Sequence, residues 1–254
     1  MASESMRTLY IDIETSPNLA WVWGLRLQNI GLNQLVEPTR ILCAAWSWDG
    51  ETQIEFTAEW QKAGGREMML SNLWTLLDHA DAVVHYNGAS FDVPHMNREF
   101  LEAGMSPPSP FAQIDLYRAV RKQFRFPSNK LAYLSQVLDL GDEGKLHTDM
   151  TLWTRVLAGE PSAQNEMQRY NEEDVVLLKD LYLQLQPWIP SHPNTGLYAE
   201  GNDPMCVACG AVDLVKEGFA YTGAGKFQRY SCGACGKWMR DAKRIETTPM
   251  REAR

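Results

Sequence analysis

The chain lacks a hydrophobic run long enough to cross a membrane, and it contains little cysteine. No apolar stretch approaches the roughly 18 residues that a membrane span requires, and the opening MASESMRTLY has no apolar core of a secretion signal. Only 5 of the 254 residues are cysteine, which is not typical of a secreted disulfide framework. We therefore expect a globular, cytoplasmic protein without a membrane partner.

Basic residues are also few relative to acidic ones. The 24 Lys and Arg face 32 Asp and Glu, and the formal net charge of -8 argues against a surface that coats nucleic acid throughout. The balance is uneven: residues 1–200 hold 15 basic and 26 acidic residues, whereas residues 201–254 hold 9 and 6. The acidic body suits an enzyme whose carboxylates hold cations, and equally an acidic protein with a small appended module.

Strand and helix patterns alternate along the first 190 residues. Apolar, β-favouring segments predict strands at 8–13, 41–48, 53–57 and 82–86. Helical spacing of apolar residues predicts helices at 68–79, 93–103, 114–124, 131–138 and about 161–186. This order predicts an α/β layer fold. Four prolines between 187 and 204 indicate a linker, so we expect domains at 1–190 and 204–254 joined by residues 191–203.

Two acids interrupt the first strand. Asp12 and Glu14 are two residues apart and leave the same face, so their charges repel. If the two carboxylates are buried, a cation or an Arg must compensate their charge; otherwise they lie on an exposed rim. The alternative is that the strand ends here and Glu14 is already in solvent.

A third acid lies in the apolar stripe of the long helix. Met167, Tyr170, Asp174, Leu178, Leu181 and Leu185 follow one another by three or four residues. Tyr170 places a phenol one turn before the Asp174 carboxylate. A solvated Asp174 at the edge of the stripe is the alternative.

A fourth acid follows the predicted strand at 82–86. Asp92 ends the segment Asn87-Gly88-Ala89-Ser90-Phe91-Asp92 and opens a helix, where it could simply be the N-cap. Acids at strand ends and on an adjoining helix would converge on one edge of an α/β sheet.

These segments in this order resemble the motifs of the DEDD superfamily of 3′–5′ exonucleases, in the DnaQ-like group. The motifs are Asp12-Ile13-Glu14, the Asn87–Asp92 segment and Tyr170-x-x-x-Asp174. The last spacing matches the DEDDy branch, and Arg169 stands where the DEDDh branch has His. YNGASFDVPHM is similar to the proofreading domain of family B DNA polymerases, and the chain resembles stand-alone, often phage-encoded exonucleases.

The resemblance implies a ribonuclease H-like mixed sheet flanked by helices over roughly residues 7–190. It implies two Mg²⁺ or Mn²⁺ ions, with Asp12 bridging both, Glu14 and Asp174 on the first, and Asp92 supporting the second through water. Tyr170 would orient the attacking water. The substrate would be single-stranded DNA, with RNA as the close rival, and a non-catalytic nucleic-acid-binding adaptor is the rival from another class.

The family's loop after the first motif shapes the pocket for the terminal nucleotide, and here it runs from Thr15 to Leu25. Thr15, Trp21, Trp23, Asn87 and Phe91 are therefore the candidate substrate contacts. Trp21 and Trp23 could equally be ordinary core residues, and Phe91 a core anchor.

Four of the five cysteines form two C-x-x-C pairs, Cys206 with Cys209 and Cys232 with Cys235. This spacing is typical of one structural Zn²⁺ held by four thiolates. A hairpin between the pairs would complete a small zinc-ribbon β domain, and disulfides are the alternative. Its basic and aromatic residues could bind a nucleic-acid strand or dock a replication or repair protein. Cys43, between Leu42 and Ala44, is expected to be a buried thiol.

Overall fold

A computed structural model of the chain describes residues 5–26, 29–62, 64–141, 148–201 and 203–250. The chain divides into two compact units, one of residues 7–118 and 126–181 and one of residues 1–6, 119–125 and 182–254. Among the described helices, none has the length and apolar character to cross a bilayer.

The described residues of the first unit contain seven strands, all or most of five helices, and residues 116–118 of a sixth helix. The strands are β1 (Thr8–Thr15), β2 (Leu19–Ala20), β3 (Leu35–Glu37), β4 (Ile41–Trp48), β5 (Glu55–Ala58), β6 (Ala82–His85) and β7 (Ala112–Asp115). The helices are α1 (Gly65–His79), α2 (Asp92–Glu102), α3 (Leu116–Gln123), α4 (Leu131–Val137), α5 (Met150–Leu157) and α6 (Pro161–Leu185).

Five strands form one mixed sheet in the order β5-β4-β1-β6-β7. β1 pairs antiparallel with β4 and parallel with β6, while β6 and β7 are parallel. The parallel pairs need crossover connections, and the helices between these strands provide them. The predicted α/β layer fold with a mixed sheet and flanking helices is confirmed.

The two faces of β1 have different neighbours, because side chains alternate along a strand. Leu9, Ile11 and Ile13 pack with residues of α1 and α2 in one buried cluster. The opposite face contains Asp12 and Glu14, which are opposite Ala45 and Cys43 of β4. Cys43 belongs to a second cluster with residues of α5 and α6, and it is fully buried as expected.

Several predicted boundaries were wrong. β1 continues to Thr15 instead of ending at Ile13, so the alternative that the strand stops before Glu14 is wrong. Residues 112–115 form a strand, where the sequence predicted that 114–124 was helical throughout. This strand passes directly into α3, and no turn residue marks that junction in the sequence. Helix α5 was not predicted, although Asp149 caps it by accepting a hydrogen bond from Thr151 N at 2.8 Å.

The second unit contains β8 (Leu214–Thr222), β9 (Gly225–Cys232) and β10 (Trp238–Thr247), an antiparallel sheet in the order β10-β9-β8. The predicted hairpin corresponds to β8 and β9, and β10 was not predicted. Residues from Tyr182 onward belong to this unit as well. Thr195, inside the predicted linker, donates from its backbone N–H to Val207 O at 3.0 Å.

Candidate active site and cysteine cluster

Three carboxylates from distant parts of the chain meet beside β1. Asp12, Glu14 and Asp174 each offer an oxygen, and these atoms lie within 4.8 Å of one another. Asp12 and Glu14 leave the face of β1 that α6 helps to cover, and Asp174 lies on α6. The convergence expected from the sequence therefore occurs for these three residues.

The apolar stripe of α6 places Asp174. Met167, Tyr170, Leu178, Leu181 and Leu185 are all buried, as the spacing predicted. Asp174 is only 5% exposed, so the alternative of a solvated acid at the edge of the stripe is wrong. Burial of a carboxylate beside two others is unfavourable unless positive charge or hydrogen-bond donors compensate it.

Asn171 provides one such donor, and no role was predicted for it from the sequence. Its Nδ2 donates to Asp12 Oδ2 at 2.7 Å and to Asp12 O at 3.2 Å. Asn171 is fully buried on α6, between Tyr170 and Asp174 in sequence. The available signal was a polar residue one position after Tyr170 on a largely apolar helix face. Asn171 fixes the orientation of the Asp12 carboxylate.

Asp92 is held against the same strand but is not one of the three clustered acids. It is 4% exposed, and its Oδ1 accepts a hydrogen bond from Ile13 N at 3.2 Å. Burial raises the pKa of Asp92 to about 7, with Asp115 adding repulsion and the Ile13 N–H opposing the shift. Asp92 is the first residue of α2, and Phe91 is the N-cap, so the N-cap interpretation of Asp92 is wrong.

The loop that delivers Asp92 is fixed from β7. Asp115 Oδ1 accepts hydrogen bonds from Asn87 N at 3.1 Å and from Arg118 N at 3.2 Å. Asn87 has a φ of 66°, a left-handed conformation that Asn tolerates. A Cβ on Gly88 would lie 2.5 Å from His85 Cγ, so the loop requires glycine there. Asn87 thus helps to fix the loop before Asp92 through its backbone.

Tyr170 lies against Trp153 of α5. Their rings meet edge to face with centroids 6.2 Å apart. Trp153 Nε1 also donates to Thr15 O at 3.0 Å, which fastens the end of β1 to α5. Trp153 is a second residue whose role was not predicted, because α5 itself was not predicted.

An open groove of about 400 Å³ adjoins Glu14. Its lining includes Glu14 and Thr15 of β1, Phe91 before α2, and Asp149 and Trp153 at α5. Two of the five predicted substrate contacts, Thr15 and Phe91, therefore lie at this groove. Phe91 is half-exposed and packs on the His95 ring, with centroids 4.6 Å apart, so it is not a core anchor.

Trp21 and Trp23 are both exposed, Trp23 by 99% of its surface. The alternative that they are core residues is therefore wrong. The Trp21 backbone exchanges hydrogen bonds with Gln34, through Trp21 N to Gln34 O at 2.9 Å and Gln34 Nε2 to Trp21 O at 2.9 Å. These hydrogen bonds fix the loop backbone and leave the indole ring in solvent.

The four C-terminal cysteines gather in the second unit. Their sulfur atoms lie within 4.8 Å of one another, with Cys206–Cys235 and Cys209–Cys232 both at 3.6 Å. All four are free thiols, so the disulfide alternative is wrong. Burial opposes ionisation of Cys232, but the N–H groups of Cys235 and Ala234 lower its pKa to about 7. A four-cysteine cluster beside antiparallel strands is compatible with a zinc ribbon.

Comparison with known proteins agrees with this architecture. Among solved structures, the chain is similar to the family B DNA polymerase from the hyperthermophilic archaeon Pyrobaculum calidifontis, with a TM-score of 0.54 and 16% sequence identity. The similarity covers 86% of this chain and 31% of the polymerase chain, and at this identity it concerns the fold alone. No curated protein matches the sequence. Residues 9–186 match the family described as the RNase_H superfamily. Since this match covers well over half of the chain, the protein belongs to the RNase_H superfamily.

Proposed function

We propose that the protein is a metal-dependent 3′–5′ exonuclease that removes nucleotides from the 3′ end of single-stranded DNA. The observation that carries this proposal is the cluster of Asp12, Glu14 and Asp174, whose oxygens lie within 4.8 Å of one another. Two positions come from one strand and the third from a helix some 160 residues later, so the fold itself assembles the cluster. The superfamily and the polymerase-like fold support a nuclease.

The donor set fits a hard divalent cation. Carboxylate oxygens are the ligands that Mg²⁺ and Mn²⁺ prefer, and a divalent ion offsets the repulsion among three adjacent acids. Asp12 and Glu14 are half-buried and Asp174 is buried, so water screens them only in part. In our proposal Asp12, Glu14 and Asp174 would hold the metal, and Asp12 would be shared between two ions.

Asp92 fits the second ion. Its pKa of about 7 means that it is half-protonated near neutral pH without metal. A neighbouring cation favours the ionised form, so binding metal would remove the proton from Asp92. The hydrogen bond from Ile13 N keeps the carboxylate directed at the strand that contains Asp12 and Glu14.

Two bound divalent ions would supply the activation of water and the stabilisation of the departing 3′ oxygen. The protein would supply orientation. A free phenol titrates near pH 10, so a tyrosine hydroxyl suits positioning the attacking water rather than deprotonating it, and we assign this role to Tyr170. The Trp153 ring limits the positions that the Tyr170 ring adopts.

The groove beside Glu14 suits the terminal nucleotide. Its volume of about 400 Å³ falls within the range of small-molecule sites. Phe91 and the exposed Trp21 and Trp23 offer aromatic surface for base stacking, which tolerates any sequence. Asn87 contributes by shaping the loop before Asp92.

For the second unit we propose one structural Zn²⁺ held by Cys206, Cys209, Cys232 and Cys235. Four thiolates complete a tetrahedral shell, so this ion would have no open position for chemistry. Cys206 and Cys232 are buried with Ala208, and the other apolar residues around them are only partly buried. Metal binding would therefore provide much of the stability of this segment.

A degradation assay tests the nuclease proposal. The 5′-labelled single-stranded 20-mers of DNA and RNA are incubated with the full chain and Mg²⁺, Mn²⁺ or EDTA. We expect a ladder of shortening labelled products with DNA and metal, and intact substrate with EDTA. Release of the label as a mononucleotide would contradict the polarity, and a ladder from RNA alone would contradict the substrate.

The acidic cluster is tested by isosteric substitutions. Asp12→Asn and Asp174→Asn should each lower the rate about a thousandfold, since removing a metal ligand takes away several kcal/mol of transition-state stabilisation. Asp180→Asn, six residues after Asp174 on α6, is the matched control and should retain activity. Equal rates for Asp174→Asn and Asp180→Asn would overturn the proposed site.

A further inference from the structure

One face of the β8–β10 sheet contains three arginines beside two aromatic rings. Strand register assigns them, because Arg240 is opposite Arg229, Arg244 is opposite Phe227 and Trp238 is opposite Ser231. Phe227, Arg229 and Ser231 alternate along β9 and therefore share this side. We call this set the arginine face: Phe227, Arg229, Ser231, Trp238, Arg240 and Arg244.

Each guanidinium of the arginine face lies over an aromatic ring. The Cζ of Arg240 is 3.9 Å from the Phe227 centroid, and that of Arg244 is 5.9 Å from it. The Cζ of Arg229 is 4.7 Å from the Trp238 centroid, and Arg229 Nε donates to Glu217 O at 2.8 Å. Stacking restricts these long side chains before any ligand binds, so less conformational entropy is lost on binding an anion.

Within the described part of the chain, no carboxylate forms an ion pair with Arg229, Arg240 or Arg244. The ribbon lysine Lys226 differs, because its Nζ lies 3.0 Å from Glu246 Oε1. One acid approaches the arginine face: Glu217 Oε1 accepts a hydrogen bond from Ser231 Oγ at 3.1 Å. The three guanidiniums thus retain N–H donors for an external anion.

The arrangement favours a polyanion. Arg240 and Arg244 are opposite Arg229 and Phe227, which are only two residues apart on β9, because β10 is irregular between the two arginines. The three guanidiniums therefore form one concentrated positive patch, which suits a chain of closely spaced phosphates. Trp238 remains 51% exposed and offers a ring for a base.

We propose that the arginine face binds the phosphodiester backbone of single-stranded nucleic acid, with Trp238 stacking on a base. This site is formed by the second unit alone and lies outside the acidic cluster. It does not depend on catalysis there, so binding and cleavage succeed or fail separately.

The test measures binding without turnover. The full chain with Asp12→Asn, loaded with Zn²⁺, is titrated without added Mg²⁺ or Mn²⁺ and without a chelator against fluorescein-labelled dT20 and rU20, and anisotropy gives the Kd at several salt concentrations. The triple substitution Arg229→Gln, Arg240→Gln and Arg244→Gln should raise the Kd for both oligonucleotides at least tenfold. The slope of log Kd against log salt should fall by about 2, because each phosphate that an arginine neutralises on a single strand adds about 0.7 to it.

Matched variants distinguish binding at the arginine face from a general effect of the protein's net charge. Lys216 is opposite Tyr230 and so lies on the other side of the sheet, and Lys216→Gln should change the Kd less than twofold. Glu217→Gln should tighten binding. The three Arg→Lys substitutions preserve charge but not the planar fork, and should give an intermediate Kd. Thermal melting checks that each variant is folded.

Equal binding by the parent and the triple Arg→Gln variant would overturn the proposal, as would an equal loss in Lys216→Gln. Absence of oligonucleotide binding in a chain that degrades DNA would overturn this site and leave the nuclease proposal standing. Stronger competition by poly-glutamate than by unlabelled dT20 would replace nucleic acid with an acidic polypeptide as the partner.

Discussion

Asp92→Asn should stabilise the metal-free protein above neutral pH. The folded-state pKa of Asp92 is about 7, against an ordinary value of 3.8. Because the pKa is raised in the folded state, protonated Asp92 contributes to the free energy of unfolding. This contribution is fully present below about pH 4 and is lost as the pH rises through about 7. The shift of about three units corresponds to about 4 kcal/mol. Asparagine avoids this loss, and its Oδ1 can still accept the Ile13 N–H.

Urea unfolding followed by circular dichroism in EDTA measures the effect. Between pH 4.5 and pH 8, the stability of the Asp92→Asn variant relative to the parent should increase by about 2 to 4 kcal/mol. Adding Mg²⁺ at pH 8 should stabilise the parent more than the variant, because the ion binds the ionised site.

Glu99 provides the matched control, since it is also buried and lies two turns after Asp92 on α2. It accepts a hydrogen bond from Ile41 N at 2.6 Å, and it pairs with Arg66 and with Arg98, the latter at 3.1 Å. Glu99→Gln should therefore destabilise the protein, by about 3 kcal/mol. If Asp92→Asn also lost stability at pH 8, the Asp92 carboxylate would be ionised and well compensated in the metal-free fold, and the reasoning would be refuted.

Three further substitutions follow from the side chains around the acidic cluster and the cysteine cluster. Asn171→Ala should raise the Mg²⁺ concentration needed for half-maximal cleavage about tenfold, because Asp12 loses the donor that orients it; an unchanged metal titration would contradict this. Trp153→Phe retains a ring beside Tyr170 but loses the bond to Thr15 O, so it should cost about 1 kcal/mol in urea unfolding. Cys206→Ser should abolish the one zinc per chain expected from elemental analysis of the parent, while β1–β7 retain their circular dichroism.

The acidic positions could be predicted because they break a pattern. Asp12 and Glu14 interrupt an apolar strand and Asp174 interrupts an apolar helix face, and the periodicity of the apolar residues makes such exceptions visible directly. The two C-x-x-C pairs are similarly visible from spacing. The α/β layer arrangement followed from the alternation of strands and helices.

The hydrogen bonds that orient these acids could not be predicted in the same way. Asn171 conforms to no motif of its own, and its bond to Asp12 depends on the approach of α6 to β1. Trp153 was missed with α5, whose eight residues give only a short periodic signal. The strand at 112–115 was predicted as part of the helix after it, because no turn residue separates Asp115 from Leu116. Tertiary approach, and not local preference, fixes all three.

The end of β6 explains why the acids lie where they do. β1 pairs with β6 only from Thr8 to Tyr10, whereas its pairing with β4 continues to Thr15. Asp12 and Glu14 therefore lie beyond the carboxyl end of the parallel partner, at the kind of crevice where open α/β sheets bind ligands. The loop after β6 leaves at this point and returns Asp92 to Ile13 N. An acid moved by one residue, to Ile11 or Ile13, would instead point into the apolar cluster with α1 and α2. The two-residue spacing of Asp12 and Glu14 is thus required by the sheet geometry as much as by the chemistry.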